Sequence, residues 1–78
     1  MSKTIEELAT KLRNAFESDS SFEAAINEPK VQKLSKPNVV TLFNRVFNTT
    51  RAFPKSLTKP DLFNAIRRER INRVRGGS

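Results

Sequence analysis

The clearest pattern in the chain is an apolar stripe in its middle third. After residues 35–38 (Ser-Lys-Pro-Asn), apolar side chains recur at spacings of three and four, which is the period of one helical face. They are Val39, Leu42, Phe43, Val46 and Phe47. We predict a helix here and place the centre of the hydrophobic core on it.

A similar stripe near the start of the chain predicts a first helix from Ile5 to about Glu17. Thr4 is its predicted N-cap, and Glu7 completes a capping box. Its apolar face consists of Ile5, Leu8, Leu12, Ala15 and Phe16. We interpret this helix as part of the scaffold.

Two shorter helical segments are predicted between these helices. Ser20 and Glu23 repeat the capping-box pattern and predict a helix over residues 21–27. Pro29 limits that helix, because the residue before a proline avoids the helical region. Pro29 can also begin one further turn, which we place at residues 31–34.

The last helix is predicted from Thr58 to about Arg75. Thr58 is a suitable N-cap, Pro60 fits the first turn, and Asp61 lies where a capping-box acid belongs. A short apolar patch faces the core: Leu62, Phe63 and Ile66. Beyond this patch the arginines spread around the helix, so we expect its last turns to project past the core.

Residues 48–57 show no helical period and are predicted to run extended, held to the core by Phe53 and Leu57. The predicted fold class is therefore all-α: a small bundle of three to five helices with an extended connection before the last helix. A chain of 78 residues has room for one domain.

We place that single helical domain at residues 1–75. Within it, residues 1–34 supply the N-terminal helices, and residues 35–75 form a helix-extended-helix unit. Residues 76–78 (Gly-Gly-Ser) are predicted to be a flexible tail.

Positive charge is concentrated in the second half of the chain. Residues 1–35 carry five basic and six acidic residues, whereas residues 36–78 carry ten basic and two acidic residues, and the net charge is +7. A concentrated positive field attracts polyanions and speeds their encounter. We therefore expect a polyanionic partner; the alternative is a solvated basic surface without one.

Several classes of function are disfavoured by what the sequence lacks. It has no Cys and no His, and its only glycines are Gly76 and Gly77, so thiol chemistry, histidine ligands and glycine-rich phosphate loops are excluded. The acidic residues show no metal-ligand spacing. We predict no enzymatic activity, no cofactor, no metal site and no small-molecule substrate. Without a signal-peptide pattern or a membrane-spanning apolar run, we expect an intracellular location in cytoplasm, nucleoid or nucleus.

Eight basic residues lie on the last helix or just before it. Arginine binds phosphate oxygens in a bidentate manner, and lysine supplies a point charge. No aromatic residue interleaves with these cations, which disfavours stacking on single strands. We predict that they contact the phosphate backbone of duplex DNA with little reading of base sequence. The predicted interface consists of Arg51, Lys55, Lys59, Arg67, Arg68, Arg70, Arg73 and Arg75.

Residues 37–75 also resemble SAP-type modules, in which a helix, an extended stretch and a second helix follow one another. In such modules the second helix commonly carries a Lys, then Leu, then Ile or Leu, with basic residues around them. The matching positions are Lys59, Leu62 and Ile66, followed by Arg67 and Arg68. The resemblance implies DNA binding, largely through backbone contacts.

A protein-interaction or adaptor domain is the alternative function. Ile71 and Val74, set among the arginines, would suit an acidic and partly apolar protein partner. The amphipathic first helix could instead dock into a partner's groove. An anionic membrane surface is disfavoured, because the last helix lacks a broad apolar face.

Overall fold

The computed structural model describes residues 2–76. Its elements are α1 (Ser2–Asn14), α2 (Asp19–Ile26), α3 (Pro29–Gln32), α4 (Lys36–Phe47) and α5 (Lys59–Ile71), and a π-helical turn (Asn72–Gly76) continues α5. No strand occurs in this range. The predicted all-α bundle with an extended connection before the last helix is confirmed.

The core is centred on α4, as its apolar stripe predicts. Val39, Leu42 and Phe43 are at most 1% exposed. Both α1 and α5 pack against α4. The aromatic rings of Phe16, Phe22, Phe43, Phe47 and Phe53 make successive contacts, with centroids 4.8–5.8 Å apart.

α1 differs from its predicted limits at both ends. It begins at Ser2, so Thr4 lies inside the first turn and is not the N-cap. The helix ends at Asn14, where the amide of Phe16 bonds the carbonyl of Arg13 and tightens the last turn. Tertiary packing explains this end, because the Phe16 ring turns towards other rings of the core.

The predicted capping box of Ser20 and Glu23 is wrong. The N-cap of α2 is Ser18, whose hydroxyl accepts a hydrogen bond from the amide of Ser21 at 3.2 Å. Two serines are therefore available as caps in neighbouring positions, and the structure uses the earlier one. The further turn after Pro29 is confirmed, although α3 begins at the proline itself.

The start of α5 is as predicted. The amide of Asp61 donates to the Thr58 hydroxyl at 3.4 Å, and the amide of Thr58 donates to the Asp61 carboxylate at 3.1 Å. These two bonds form the predicted capping box. Gly76, assigned to the tail from sequence, is the last residue of the π-helical turn, and Gly77 and Ser78 lie outside the described residues.

The start of the extended connection is held to α4 by the side chain of Asn44. α4 ends at Asn48, which adopts the left-handed conformation (φ 56°) common at helix ends. The side-chain amide of Asn44 donates to the carbonyl of Arg51 at 3.0 Å, and its oxygen accepts from the Arg51 amide at 2.9 Å. This clamp fixes where the basic segment before α5 begins. Across residues 2–76, no helix combines the length and the apolar composition that crossing a membrane requires.

Candidate nucleic-acid interface

Four of the eight predicted interface residues form ion pairs within the molecule. Arg67 meets Glu23 of α2 at 2.6 Å. Arg51 and Arg73 both approach Glu69, at 3.8 and 2.9 Å. The fourth is Arg70, described below. These pairs neutralise part of the positive charge that was predicted to contact a partner. They also lie on more than one side of α5.

Arg70 is buried, with only 6% of its surface exposed. Two nitrogens of its guanidinium donate to the carbonyl of Phe16, at 2.7 and 3.1 Å, and a third donates to Asp19. The guanidinium carbon lies 5.1 Å from the ring centroid of Phe22. The expectation that the last turns project past the core is therefore wrong at Arg70, although residues 71–76 are all exposed. A planar guanidinium can satisfy several acceptors at once, which allows its burial.

The spacing of the apolar patch contains a signal for this burial. Arg70 lies four residues after Ile66 and eight after Leu62, so the three share one face of α5. Both apolar residues are buried. A residue that continues a buried stripe is positioned to be buried too, whatever its charge.

Two arginines pack against the end of α4. Arg73 donates to the carbonyl of Phe47 at 3.3 Å, and Arg13 donates to the carbonyls of Val46 and Arg45. Carbonyls at the end of a helix lack partners within the helix, and cations near them are favourable. Arg73 therefore also turns back to the body of the protein.

The other four predicted residues form no ion pair with a described carboxylate. Arg68 and Arg75 are exposed and seven residues apart, which places them about 10 Å apart along the axis. Lys55 is exposed and Lys59 half-buried, and both lie at the opposite end of α5, at or just before its start.

Lys55 and Lys59 lie near two lysines that were not predicted from the sequence to belong to the interface. The amine of Lys36 donates to the carbonyl of Lys55 at 2.8 Å, and the amine of Lys59 donates to the carbonyl of Gln32 at 2.6 Å. Lys33 directly follows Gln32. We call Lys33, Lys36, Lys55 and Lys59 the lysine corner.

One acid lies near the lysine corner. The hydrogen bonds of Asp61 with the amide and side chain of Thr58 lower the pKa of its carboxyl, and the charge of Lys36 lowers it further. Asp61 is therefore ionised at neutral pH and offsets part of the positive charge. Four lysines against one carboxylate still leave the corner strongly positive.

A repeated sequence contained the signal for Lys36. Residues 35–38 and 58–61 share the order hydroxyl, Lys, Pro, Asx, so each of two helices begins with a lysine: Lys36 and Lys59. The sequence shows that both helices start in the same way. Only the packing of α4 against α5 shows that the two starts lie at the same corner.

A shallow notch lies elsewhere, between α2 and the end of α5, with a volume of about 420 Å³. Ile71 and Val74 line it and are 45% and 50% exposed. In contrast, the apolar face of α1 is buried in the core and offers no surface to a partner. No group of acidic side chains among residues 2–76 is arranged to hold a metal ion.

Comparison with known proteins found no similar protein. No protein-family model matched the chain, and searches of curated proteins and of solved structures returned no match.

Proposed function

We propose that this protein is a nucleic-acid-binding module that contacts the phosphate backbone of duplex DNA. The observation that carries the proposal is the lysine corner, a cluster of four lysines that form no ion pair with a carboxylate of residues 2–76. Arg68 and Arg75 add two exposed cations at the other end of α5 and in the turn that continues it. The resemblance of residues 37–75 to SAP-type modules supports the same function.

The eight residues predicted from the sequence are not expected to contribute equally to the affinity for DNA. An arginine that is already bound to a carboxylate must give up that bond, or share it, before it binds a phosphate. Arg51, Arg67, Arg70 and Arg73 therefore contribute less than their charge suggests. Lysines and arginines that pair with no described carboxylate avoid this cost, so they contribute most of the affinity.

Titration with a generic DNA duplex tests the proposal. We expect binding at about 50 mM salt, with log K falling against log salt at a slope of about −4 to −5 if about five phosphates are neutralised. Fluorescence anisotropy of a labelled duplex measures both quantities. The absence of binding at low salt would remove the proposal.

Two double variants with the same change in net charge locate the surface. Lys33→Gln with Lys55→Gln removes two exposed cations of the lysine corner. It should weaken binding about tenfold or more and reduce the slope by about 2. Lys11→Gln with Arg45→Gln removes two exposed cations that pair with Glu28 and Glu6, and we expect a much smaller loss. Equal losses in both double variants would show that only total charge matters.

A protein-interaction domain is the second candidate. The observation in its favour is the notch between α2 and α5, where Ile71 and Val74 are exposed. These are the residues expected from sequence to face an acidic and partly apolar partner. Failure of the protein to bind any duplex at low salt would make this the leading candidate.

A further inference from the structure

An apolar groove of about 380 Å³ lies beside the lysine corner. It runs between the first turn of α4 and the extended connection. Its lining is almost entirely apolar and includes Pro37, Val40, Phe53 and Pro54, while Lys36 and Lys55 border it. Apolar grooves of this size that carry a few charged groups are typical of ligand-binding sites.

Phe53 brings an aromatic ring among the basic residues. The ring is half-buried, packs edge-on against Phe43 with centroids 5.1 Å apart, and borders the same groove as Lys36 and Lys55. The expectation that no aromatic residue interleaves with the cations is therefore wrong. The sequence itself already places Phe53 between Arg51 and Lys55, and in the structure the guanidinium carbon of Arg51 lies 5.1 Å from the Phe53 ring centroid.

The combination of an apolar groove, an aromatic ring and bordering lysines suits an unpaired base of a nucleic acid. An unpaired base presents a flat, largely apolar face, and such bases commonly pack on aromatic side chains while lysines follow the backbone. A base that is stacked and paired inside a duplex cannot enter a groove. The lysines on the rim match the phosphates on either side of the base in charge.

The geometry points to an unpaired nucleotide of DNA as the occupant of this groove. Its base packs against Phe53 and the two prolines, and its phosphates contact Lys36 and Lys55. This inference rests on the proposed function and deepens it. It makes a duplex with a single-stranded extension, rather than an uninterrupted duplex, the preferred partner.

Three kinds of DNA ligand that share one duplex test the inference. The first is blunt, the second carries a short thymidine overhang, and the third carries an abasic overhang with the same number of phosphates. Each overhang is placed at a 3′ end in one ligand and at a 5′ end in another. We expect the thymidine overhang of at least one polarity to raise affinity about tenfold over the abasic one, as expected for a stacked base.

A matched pair of protein variants assigns the effect to the groove. Phe53→Leu keeps an apolar side chain against Phe43 but removes the aromatic face. It should abolish the preference for the thymidine overhang while leaving affinity for the blunt duplex unchanged. Phe16→Leu makes the same substitution at a half-buried ring that does not border the groove, and it should leave the preference unchanged.

The outcomes distinguish a failure of the groove inference from a failure of the proposed duplex-binding function. If the thymidine overhangs bind no more tightly than the abasic overhangs of the same polarity, the groove takes no base and this inference is overturned, while the proposed function stands. If none binds at low salt, both proposals fail. If, in that case, a peptide of alternating glutamate and leucine binds instead, the groove belongs to an acidic protein partner.

Discussion

At the scale of single residues, some arginines of this protein bind other parts of the fold and others do not. The side chain of Arg70 is buried and bonds a backbone carbonyl, whereas the side chain of Arg68, two positions earlier, is exposed and forms no hydrogen bond or ion pair with the described residues. The same side chain therefore serves the fold at one position and is available to a partner at the other.

Substitution of Arg70 should destabilise the protein far more than substitution of Arg68. Arg70→Gln deprives the Phe16 carbonyl of its two donors, and we expect a loss of about 2 kcal/mol in the free energy of unfolding. Arg68→Gln should stay within about 0.5 kcal/mol, as exposed substitutions usually do. Urea unfolding followed by circular dichroism measures both values.

Asp19 provides the control for this prediction. Its side chain is 92% exposed although it pairs with Arg70, so solvent screens the pair. Asp19→Asn should therefore cost less than about 1 kcal/mol. A larger loss than that caused by Arg70→Gln would mean that the ion pair, rather than the bonded carbonyl, stabilises this contact.

At the scale of helices, two similar sequences begin α4 and α5 with different chemistry. Thr58 forms a complete capping box with Asp61. Ser35 occupies the same position before α4 but makes no side-chain capping bond. The shared order of residue types therefore predicts where a helix begins more reliably than it predicts which bonds stabilise the start.

The two caps should differ in their contribution to stability. Thr58→Ala removes an observed capping bond and should cost about 1 kcal/mol of unfolding free energy. Ser35→Ala removes a hydroxyl that caps nothing and should cost close to zero. Urea denaturation of the two variants under identical conditions compares them, and equal losses would contradict the assignment of the caps.

The capping box of α5 also predicts a dependence of stability on pH. The pKa of Asp61 lies below its ordinary value of 3.8 in the folded protein, chiefly because of its hydrogen bonds with Thr58. A carboxyl with a lowered pKa stabilises the fold above its unfolded-state pKa, and this stabilisation is lost as the pH falls through the folded-state pKa. The difference in unfolding free energy between the wild type and Asp61→Asn should therefore be largest between about pH 5 and about pH 7. It should shrink below about pH 4.

Salt separates the two causes of this shift. Hydrogen bonds to Thr58 are little affected by ions, whereas the attraction of exposed Asp61 to Lys36 is screened at about 1 M salt. The pH dependence should persist when unfolding is repeated at high salt. Its disappearance would identify Lys36, rather than Thr58, as the main cause.

At the scale of the whole molecule, positive charge is used in two ways. Among the residues that the structure describes, one lysine and five arginines pair with carboxylates: Lys11, Arg45, Arg51, Arg67, Arg70 and Arg73. The lysine corner, in contrast, contains no arginine. The planar guanidinium suits internal contacts with several acceptors, whereas the compact ammonium group of lysine carries its charge at the surface.

This division explains how far the sequence predicted the candidate site. Lys55 and Lys59 were expected in it and lie in the lysine corner. Lys33 and Lys36 were missed, because Lys33 lies just before α4 and Lys36 is its first residue, and no spacing along the chain connects either of them to α5. The net charge of +7 predicts attraction to polyanions, but it does not distinguish a paired cation from an unpaired one.

The sequence by itself determined the all-α class, the central position of α4 in the core and the start of α5 at Thr58. These features depend on apolar period and capping, which act over a few neighbouring residues. Only the tertiary structure decided which cations are free. Arg67 and Arg70 find their acids 44 and 51 positions away, and no local pattern encodes contacts at that separation, because they exist only once the helices have packed.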